Sequence, residues 1–424
     1  MPGFLTLQSV EDVLAHMRSF PLTRVETIPL ESAVNRHLAQ DFVAPEDLPG
    51  FDRSSVDGYA VNARDVFGAS EGSPALLRVV GHCPMGVVPD RGITSGETMT
   101  ILTGGMLPKG ADCAVMLEYA RPTGTDLVEL TRPQAPWDHV IRHDDDAAKG
   151  ELLLHRGQRL RPQDLGILAA YGVTVPEVCA RPRVALLSTG DEVIPCDKTP
   201  APGQVRNVNS TTIGALCQLA GAEVTQGGIV GDEPELLRAA MARLVEGHDV
   251  IVVSGGSSAG MRDHTVELFT SLPGAQLLTH GVAISPGKPF ILAKATINGR
   301  QIALVGLPGH VTSALVCAHA LLRPLLLHMQ GASIPTRPVL VQARLARSIA
   351  SAQGRRDYVR VRLAPVQGGA DLPCTIEAQP LPGASGCISG LTRAEGLLVC
   401  PETREGYDAG DIVPVELPWP MEQH

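Results

Sequence analysis

Along the 424-residue chain the spacing of apolar positions changes several times, and each change marks a different kind of element. Val10, Val13, Leu14 and Met17 recur at helical spacing behind Ser9, with Asp12 as a capping-box partner, which predicts an amphipathic helix at the start. A second helical pattern is read over 30–39, after which Pro45, Pro49 and Gly50 open a loop. Between 73 and 135 short apolar runs (LLRVVGHC, TMTILTGG, CAVMLEYA, LVELT) alternate with Gly and Pro turns, the pattern of a β-rich module that needs no helix. Pro162 and Asp164 then open a helix that Gly172 stops.

Between Pro182 and Pro324 strands and helices alternate. VALLS, a helix opened by Asn209 or Ser210, AEVTQGGIV, a helix from Asp232 with Glu235 as its box partner, and DVIVVSGG spell an α/β module. FILAKATINGRQIALVG adds a hairpin turning at Asn298-Gly299, and an apolar helix is expected over 311–329. Beyond Pro335 and Pro338 the period becomes two: Val339, Val341, Ala343 and Leu345, then Val359, Val361 and Leu363 against Arg360 and Arg362. The last part of the chain, about 90 residues, therefore reads as a small β-barrel or sandwich.

Composition narrows the function classes. Hydrophobic residues make up 44% of the chain, while the 44 Gly and 34 Pro together stay below the ~25–30% that marks low complexity, so the chain is a folded multidomain protein. With 45 acidic against 35 basic residues and only 2 Trp, 5 Tyr and 7 Phe, it has neither the cationic footprint nor the stacking platform of a nucleic-acid binder. The opening MPGFLTLQSVEDVL lacks a basic flank before an apolar core, and the run 311–327 is interrupted by His319, Arg323 and Pro324; neither export nor membrane spanning is expected. Nine cysteines with no CxxC pair read as reduced, mostly buried thiols of a cytoplasmic protein. The absence of HExxH, HxH, GxSxG, GxGxxG and GxxxxGK[ST] argues against a zinc site, a serine hydrolase, a dinucleotide fold and a P-loop ATPase.

Three small-residue loops follow strands of the α/β module: Ser188-Thr189-Gly190-Asp191-Glu192, Ser254-Gly255-Gly256-Ser257-Ser258 and Gly306-Leu307-Pro308-Gly309-His310. Ligands of open α/β sheets sit at such edges, where glycine lets backbone N–H groups approach a phosphate and hydroxyls add uncharged donors. Turn-making alone accounts for one such loop, and less readily for three. Asp191, Glu192, Asp232 and Asp263 decorate them, in the manner of carboxylates that hold Mg²⁺ against phosphate oxygens. Asp232 also reads as an ordinary helix cap, as does Asp263 before HTVELF. Lys288, in a Pro-Gly-Lys-Pro turn, is either a surface lysine or an anion contact. Asp57 and the run Asp144 to Asp146 pass as turn and solvated face on their own.

Taken in order, SSVDGYAV, ILTGG with PKGADCAVMLE, STGDEV, GQVRNVNS, SGGSSAGMRD, SPGKP, GLPG and a terminal serine-glycine region resemble the molybdopterin molybdenumtransferases, the MoeA and gephyrin E-domain family, over nearly the whole chain. The resemblance implies a multidomain α/β plus β subunit in a homodimer. Its linker domain would take residues 1–45 and 140–180, its β-rich domain 46–139, its three-layer α/β molybdopterin-binding domain 181–330, and its C-terminal β-barrel 331–424. It further implies that adenylylated molybdopterin is bound with Mg²⁺ and molybdate, cleaved to AMP, and loaded with metal on its dithiolene. By motif position Glu192, Asp232 and Asp263 look like catalytic acids and Mg²⁺ ligands. Asp57, Thr103 and Asp146 look like contributions to the partner subunit's α/β site. Ser188, Thr189, Gly190, Ser254, Gly255, Gly256, Ser257, Lys288, Pro308 and Gly309 would hold the substrate, with Ser385 a match from the barrel. A molybdopterin adenylyltransferase and apo-molybdoenzymes or their chaperones would be the neighbours in the pathway.

Departures from the family pattern bear on the anion. Ser285 and Val266 stand where lysine is common, GLPGNP becomes GLPGHV with His310, and a Gly-Glu-Asp run becomes Asp144-Asp145-Asp146. Arg206, Arg262, His264 and Lys288 remain near these loops in sequence. An active metal insertase is the expected function; the alternative is a catalytically weak paralogue that binds or delivers the pterin or finished cofactor, or scaffolds partners. An adenylyltransferase is disfavoured, since that chemistry needs the α/β module alone.

Overall fold

The computed structural model describes residues 7–255, 259–332, 338–365 and 376–418, with side chains described for all of these except 259–263. Two compact units divide the chain: residues 41–155 with 170–172 in one, and the remainder in the other.

The first unit is built on a six-stranded sheet ordered Cys113–Met116, Gly58–Val61, Glu97–Ile101, Ala75–His82, Leu127–Leu130, Ala120–Thr123. Its core packs Tyr59, Val61, Leu77, Val115, Val128 and Leu130 on one face, while Ala60, Met99, Ile101 and Ala114 fill the other. Among the described residues only short 3₁₀ turns, Ala63–Val66 and Leu117–Tyr119, interrupt the strands, as the apolar runs predicted.

The larger unit contains the α/β module. Four parallel strands, in the order Glu223–Val230, Arg183–Thr189, Val250–Ser254, Arg300–Leu307, are extended by the antiparallel Ile291–Ile297 and Gln276–His280. Val184, Leu186, Val250, Val252, Ala303 and Val305 face one helical layer, and Ala185, Leu187, Ile251, Val253 and Leu304 face the other. That two-sided burial is why these strands read as unbroken apolar runs. The hairpin turns at Asn298 and Gly299, both at positive φ (50° and 77°), the geometry that Asn-Gly favours.

The apolar helix is Val311–Met329, long and apolar enough by length and composition to cross a membrane. Here 72% of its window is buried, and Ala314, Cys317, Leu321, Leu325 and Met329 sit in the core beneath the sheet. Its middle widens to a π turn, Ala318–Leu322. Pro324 accounts for the widening, because it offers no N–H to the carbonyl four residues earlier and its ring crowds that turn.

The C-terminal sheet closes on itself: Arg356–Pro365, Ile376–Pro380, Val339–Leu345, Ile412–Leu417 and Gly396–Cys400 form a five-stranded ring, the barrel expected from the two-residue period. Its lining includes Ala343, Leu345, Val361, Ala378, Leu398, Val413 and Val415. One further short strand, Ile284–Ser285, joins it in parallel from the α/β module.

Two local expectations fail. The helix over 30–39 shrinks to a 3₁₀ turn, Leu30–Ser32, because Asn35 takes a positive φ (64°) and Asn35 and Leu38 donate their backbone N–H groups to Leu160 and Gln158. The helix expected to open at Asn209 or Ser210 does start at Asn209 (Asn209–Leu219), with Asn207 Oδ1 receiving the Ser210 N–H at 3.2 Å. Asp232 caps nothing: the helix is Pro234–Val245, preceded by Glu233 with no side-chain cap. The N-terminal helix, Val10–Met17, does carry the reciprocal Ser9/Asp12 box.

Candidate functional site

The carboxyl ends of three of the four parallel strands deliver Ser188, Thr189, Ser254 and Leu307 to one edge, all four residues buried. The loops that follow surround a cavity of about 340 Å³ lined by Ser188, Thr189, Glu192, Ser254, Gly255 and Gly309. Six residues that the sequence placed on three separate loops are thus brought together. Gly255 adopts φ +146°, and a Cβ there would stand 2.3 Å from the Thr189 backbone oxygen, so only glycine lets the first two loops touch.

Two asparagines complete the edge. Asn207 Nδ2 donates to Ser188 Oγ at 2.9 Å, while Asn209 Nδ2 donates to Ser254 Oγ at 2.8 Å and to the Gly309 carbonyl at 2.9 Å. Because Asn209 occupies the acceptor side of the Ser254 hydroxyl, that hydroxyl keeps its own proton for a ligand. Sequence reasoning passed over both asparagines as site residues; the Asn-Val-Asn-Ser spacing beside the first helix was the available signal.

Acidic groups gather at one side. Asp232 donates its backbone N–H to Asp191 Oδ1 at 3.0 Å, but its own Oδ1 is buried without a hydrogen-bond partner. Burial first, then the charges of Asp191 and Glu192, push the Asp232 carboxyl above the usual carboxylate range, with the Asp191 hydrogen bond and His264 opposing. A buried carboxylate oxygen left unpaired beside two other acids suits a cation. Among the described residues no three His, Cys, Asp or Glu side chains converge into a metal cage. The donor set therefore fits an ion that keeps water and substrate oxygens, as Mg²⁺ does, rather than an all-protein site. Asp263 lies inside the helix Ala259–Thr270 rather than ahead of it; its side chain, with Gly256 and Ser257, falls outside the described residues.

On the opposite side the cavity meets the barrel. His310 Nδ1 and Ser385 Oγ are 2.8 Å apart, the Thr312 N–H donates to the Ser385 carbonyl at 3.0 Å, and Gly386 and Ile388 line the wall. Arg206, whose Nε donates to the Lys198 carbonyl at 3.0 Å, and His310 are the basic side chains lining this cavity among the described residues. Pro308 is buried behind Gly255 and Thr265. Lys288 is exposed and does not line the cavity, and Ser285 is drawn into the barrel sheet.

The other unit holds its own set. Asp57 Oδ1 accepts both the Thr103 N–H at 2.7 Å and its hydroxyl at 2.8 Å, and these bonds hold the exposed Asp57 carboxyl below its ordinary range. Gly104 N–H donates to the Ser54 carbonyl, and Ser55 N–H to His139, so the Thr103 and 137–144 loops flank the segment that carries Asp57. The exposed Asp146 donates its N–H to Leu48, and no hydrogen bond or ion pair joins it to Asp57 or Thr103 among the described residues.

A parallel sheet with small-residue loops and acids at its carboxyl edge, fused to a closed barrel, defines an α/β protein with its site at the open sheet edge, and residues 185–328 match the "probable molybdopterin binding domain". Residues 8–172 match the "MoeA N-terminal region (domain I and II)" and 342–417 the "MoeA C-terminal region (domain IV)". The chain belongs to the MoeA family of molybdenum cofactor biosynthesis proteins. It is 34% identical to molybdopterin molybdenumtransferase 2 of Mycobacterium tuberculosis (94% of this chain, 95% of that one) and 32% identical to a molybdopterin biosynthesis protein of Methanocaldococcus jannaschii (98% of each). A crystal structure of a molybdopterin biosynthesis MoeA protein from Pyrococcus horikoshii covers 98% of the chain and 100% of its own length, at 33% identity and a TM-score of 0.79.

Proposed function

We propose that the chain is a molybdopterin molybdenumtransferase that holds adenylylated molybdopterin at the loop cavity, releases AMP, and transfers molybdate-derived metal to the pterin dithiolene. The observation that carries this reading is the pairing of uncharged hydroxyls, Ser188 and Ser254, held in place by Asn207 and Asn209, with the unpartnered Asp232 Oδ1 near Glu192. Fixed donors with little surplus charge suit an oxyanion, whose developing charge they meet without reorganising. Arg206 and His310 add basic side chains to the cavity lining, Arg206 from the strand paired with Val193–Ile194. Asp232 and Glu192 would hold Mg²⁺, which supplies charge neutralisation to the phosphoanhydride when bound.

Purified protein given adenylylated molybdopterin, Mg²⁺ and molybdate is expected to release AMP and to reconstitute an apo-molybdoenzyme. Tight pterin binding with neither outcome would replace this reading by the delivery function. The proposal extends to a homodimer in which Asp57, Thr103 and Asp146 serve the partner's cavity, with an adenylyltransferase upstream and apo-molybdoenzymes or their chaperones downstream. Chains carrying Asp57→Asn and Glu192→Gln, refolded together, would then regain about a quarter of the wild-type sites, because half the dimers are mixed and each has one intact site. No recovery in verified heterodimers would refute the shared site.

A further inference from the structure

A second cavity, of about 350 Å³, lies in the same unit and shares no lining residue with the one above. Its walls come from the N-terminal helix and its C-cap through Leu14 and Arg18, from Val311–Met329 through His319 and Arg323, and from the barrel through Arg356 and Tyr358. Pro324 and Pro338 add to its apolar surface. Three guanidinium groups around one half-enclosed, largely apolar space is an unusual concentration in a chain with more acids than bases.

The acids here are already engaged. Arg356 pairs with Glu11 and, at 3.0 Å, with Glu402. Glu416 Oε2 lies 3.0 Å from Nε2 of the buried His319. Arg323 is different: among the described residues it donates no hydrogen bond and makes no ion pair. Burial and repulsion from Arg159 push its guanidinium below the usual range, with Glu416 opposing. Its donors line the cavity without a protein acceptor among the described residues, and its fork matches a carboxylate or phosphate edge-on. Guanidinium is also weakly hydrated, so an apolar surround favours its pairing with an anion more than it would for lysine.

We propose that this cavity binds a small organic anion, a carboxylate or phosphate ester, whose charged group pairs with Arg323, with Arg18 at the rim, and whose apolar body lies against Leu14, Pro324 and Tyr358. A space of this volume is at the lower end for small-molecule pockets, which limits the body to about one ring. The inference is independent of the pterin reading, because it uses none of those residues.

Titration calorimetry on the full chain tests it with four probes: inorganic phosphate, phenyl phosphate, acetate and benzoate. The ring-bearing member of each pair should bind tighter than the bare ion, and the stronger pair identifies phosphate or carboxylate as the preferred head. Arg323→Gln should weaken the preferred probe about tenfold or more, Arg323→Lys should restore part of the loss, and raised salt should weaken wild-type binding. Glu192→Gln should leave it unchanged, and AMP should not compete. Failure of every probe to bind wild type at millimolar concentration overturns the proposal. So does equal binding by Arg323→Gln, or competition with AMP. If Arg323→Gln lacks a cooperative melt, Arg18→Gln provides the same comparison.

Discussion

Replacing Asp232 by Asn separates what this carboxylate costs the fold from what it offers a cation. Its proton is held to higher pH in the folded protein than in the unfolded chain, through burial and the charges of Asp191 and Glu192. The sign follows: ionisation of Asp232 opposes folding, so its contribution is least unfavourable at acid pH and is fully felt once the pH exceeds the raised value. Two unit charges ~5 Å apart at an effective dielectric of ~40–80 repel by about 0.8–1.7 kcal/mol. Asp191 and Glu192 are exposed, which places the net effect at the lower end. Asp232→Asn should therefore stabilise the protein near pH 7.5 by about 1 kcal/mol in the presence of EDTA, a rise of roughly 2–4 °C in midpoint. Magnesium reverses the order. At ten times its dissociation constant a bound ion stabilises by about 1.4 kcal/mol, and the variant, having lost a ligand, should gain much less. Thermal unfolding with EDTA or Mg²⁺, at pH 5 and pH 7.5, reads both arms. A variant less stable than wild type in EDTA at pH 7.5 would refute the electrostatic argument; equal Mg²⁺ gains in both proteins would refute the metal assignment.

Other consequences can be checked separately. Thr103→Val removes the hydroxyl bond to Asp57 and keeps the backbone one, so the Asp57 titration followed by NMR should move up toward the ordinary carboxylate value; no movement would mean the hydroxyl does not hold it down. In Gly58→Ala the new Cβ would stand 1.9 Å from the Val115 carbonyl oxygen inside the sheet, and a loss of about 3 kcal/mol or more is expected by denaturant titration; a near-neutral result would contradict the packing of those strands. His310→Ala cuts the link to Ser385, so the Thr312 amide should exchange faster and AMP should bind several-fold more weakly, whereas unchanged exchange would make the link incidental.

Where an element was legible, the signal was local. The Ser9/Asp12 box, the Asn298-Gly299 turn and the two-residue period after Val339 each state their own geometry within a few residues. Residues 30–39 misled because their backbone partners, Gln158 and Leu160, lie more than a hundred positions away, and a helical pattern cannot report such bonds. Asp232 was ambiguous for a related reason. An Asp before Glu-Pro-Glu looks like a cap, and only the fold shows that the helix starts beyond it and leaves its oxygen unpaired. The gathering of Ser188, Ser254 and Gly309 followed from strand-loop grammar. Asn207 and Asn209 did not, since amides around a helix start carry no distinctive pattern until the neighbouring strands are placed.

The four residues 282–285 set a limit on how this chain can be divided. Val282 and Ala283 pair with Gln8, the Arg356 N–H donates to the Ala283 carbonyl at 2.9 Å, and Ile284 and Ser285 lie along Arg356 and Asp357 as a sixth strand. Most barrels at the end of a chain could be gained or lost as a cassette. Here a break near 335 would strip one partner from a sheet edge and leave an unpaired strand on the other fragment, each an invitation to aggregate. The α/β module and barrel therefore share a strand across any such cut, and fragments expressed apart should recover solubility only when mixed.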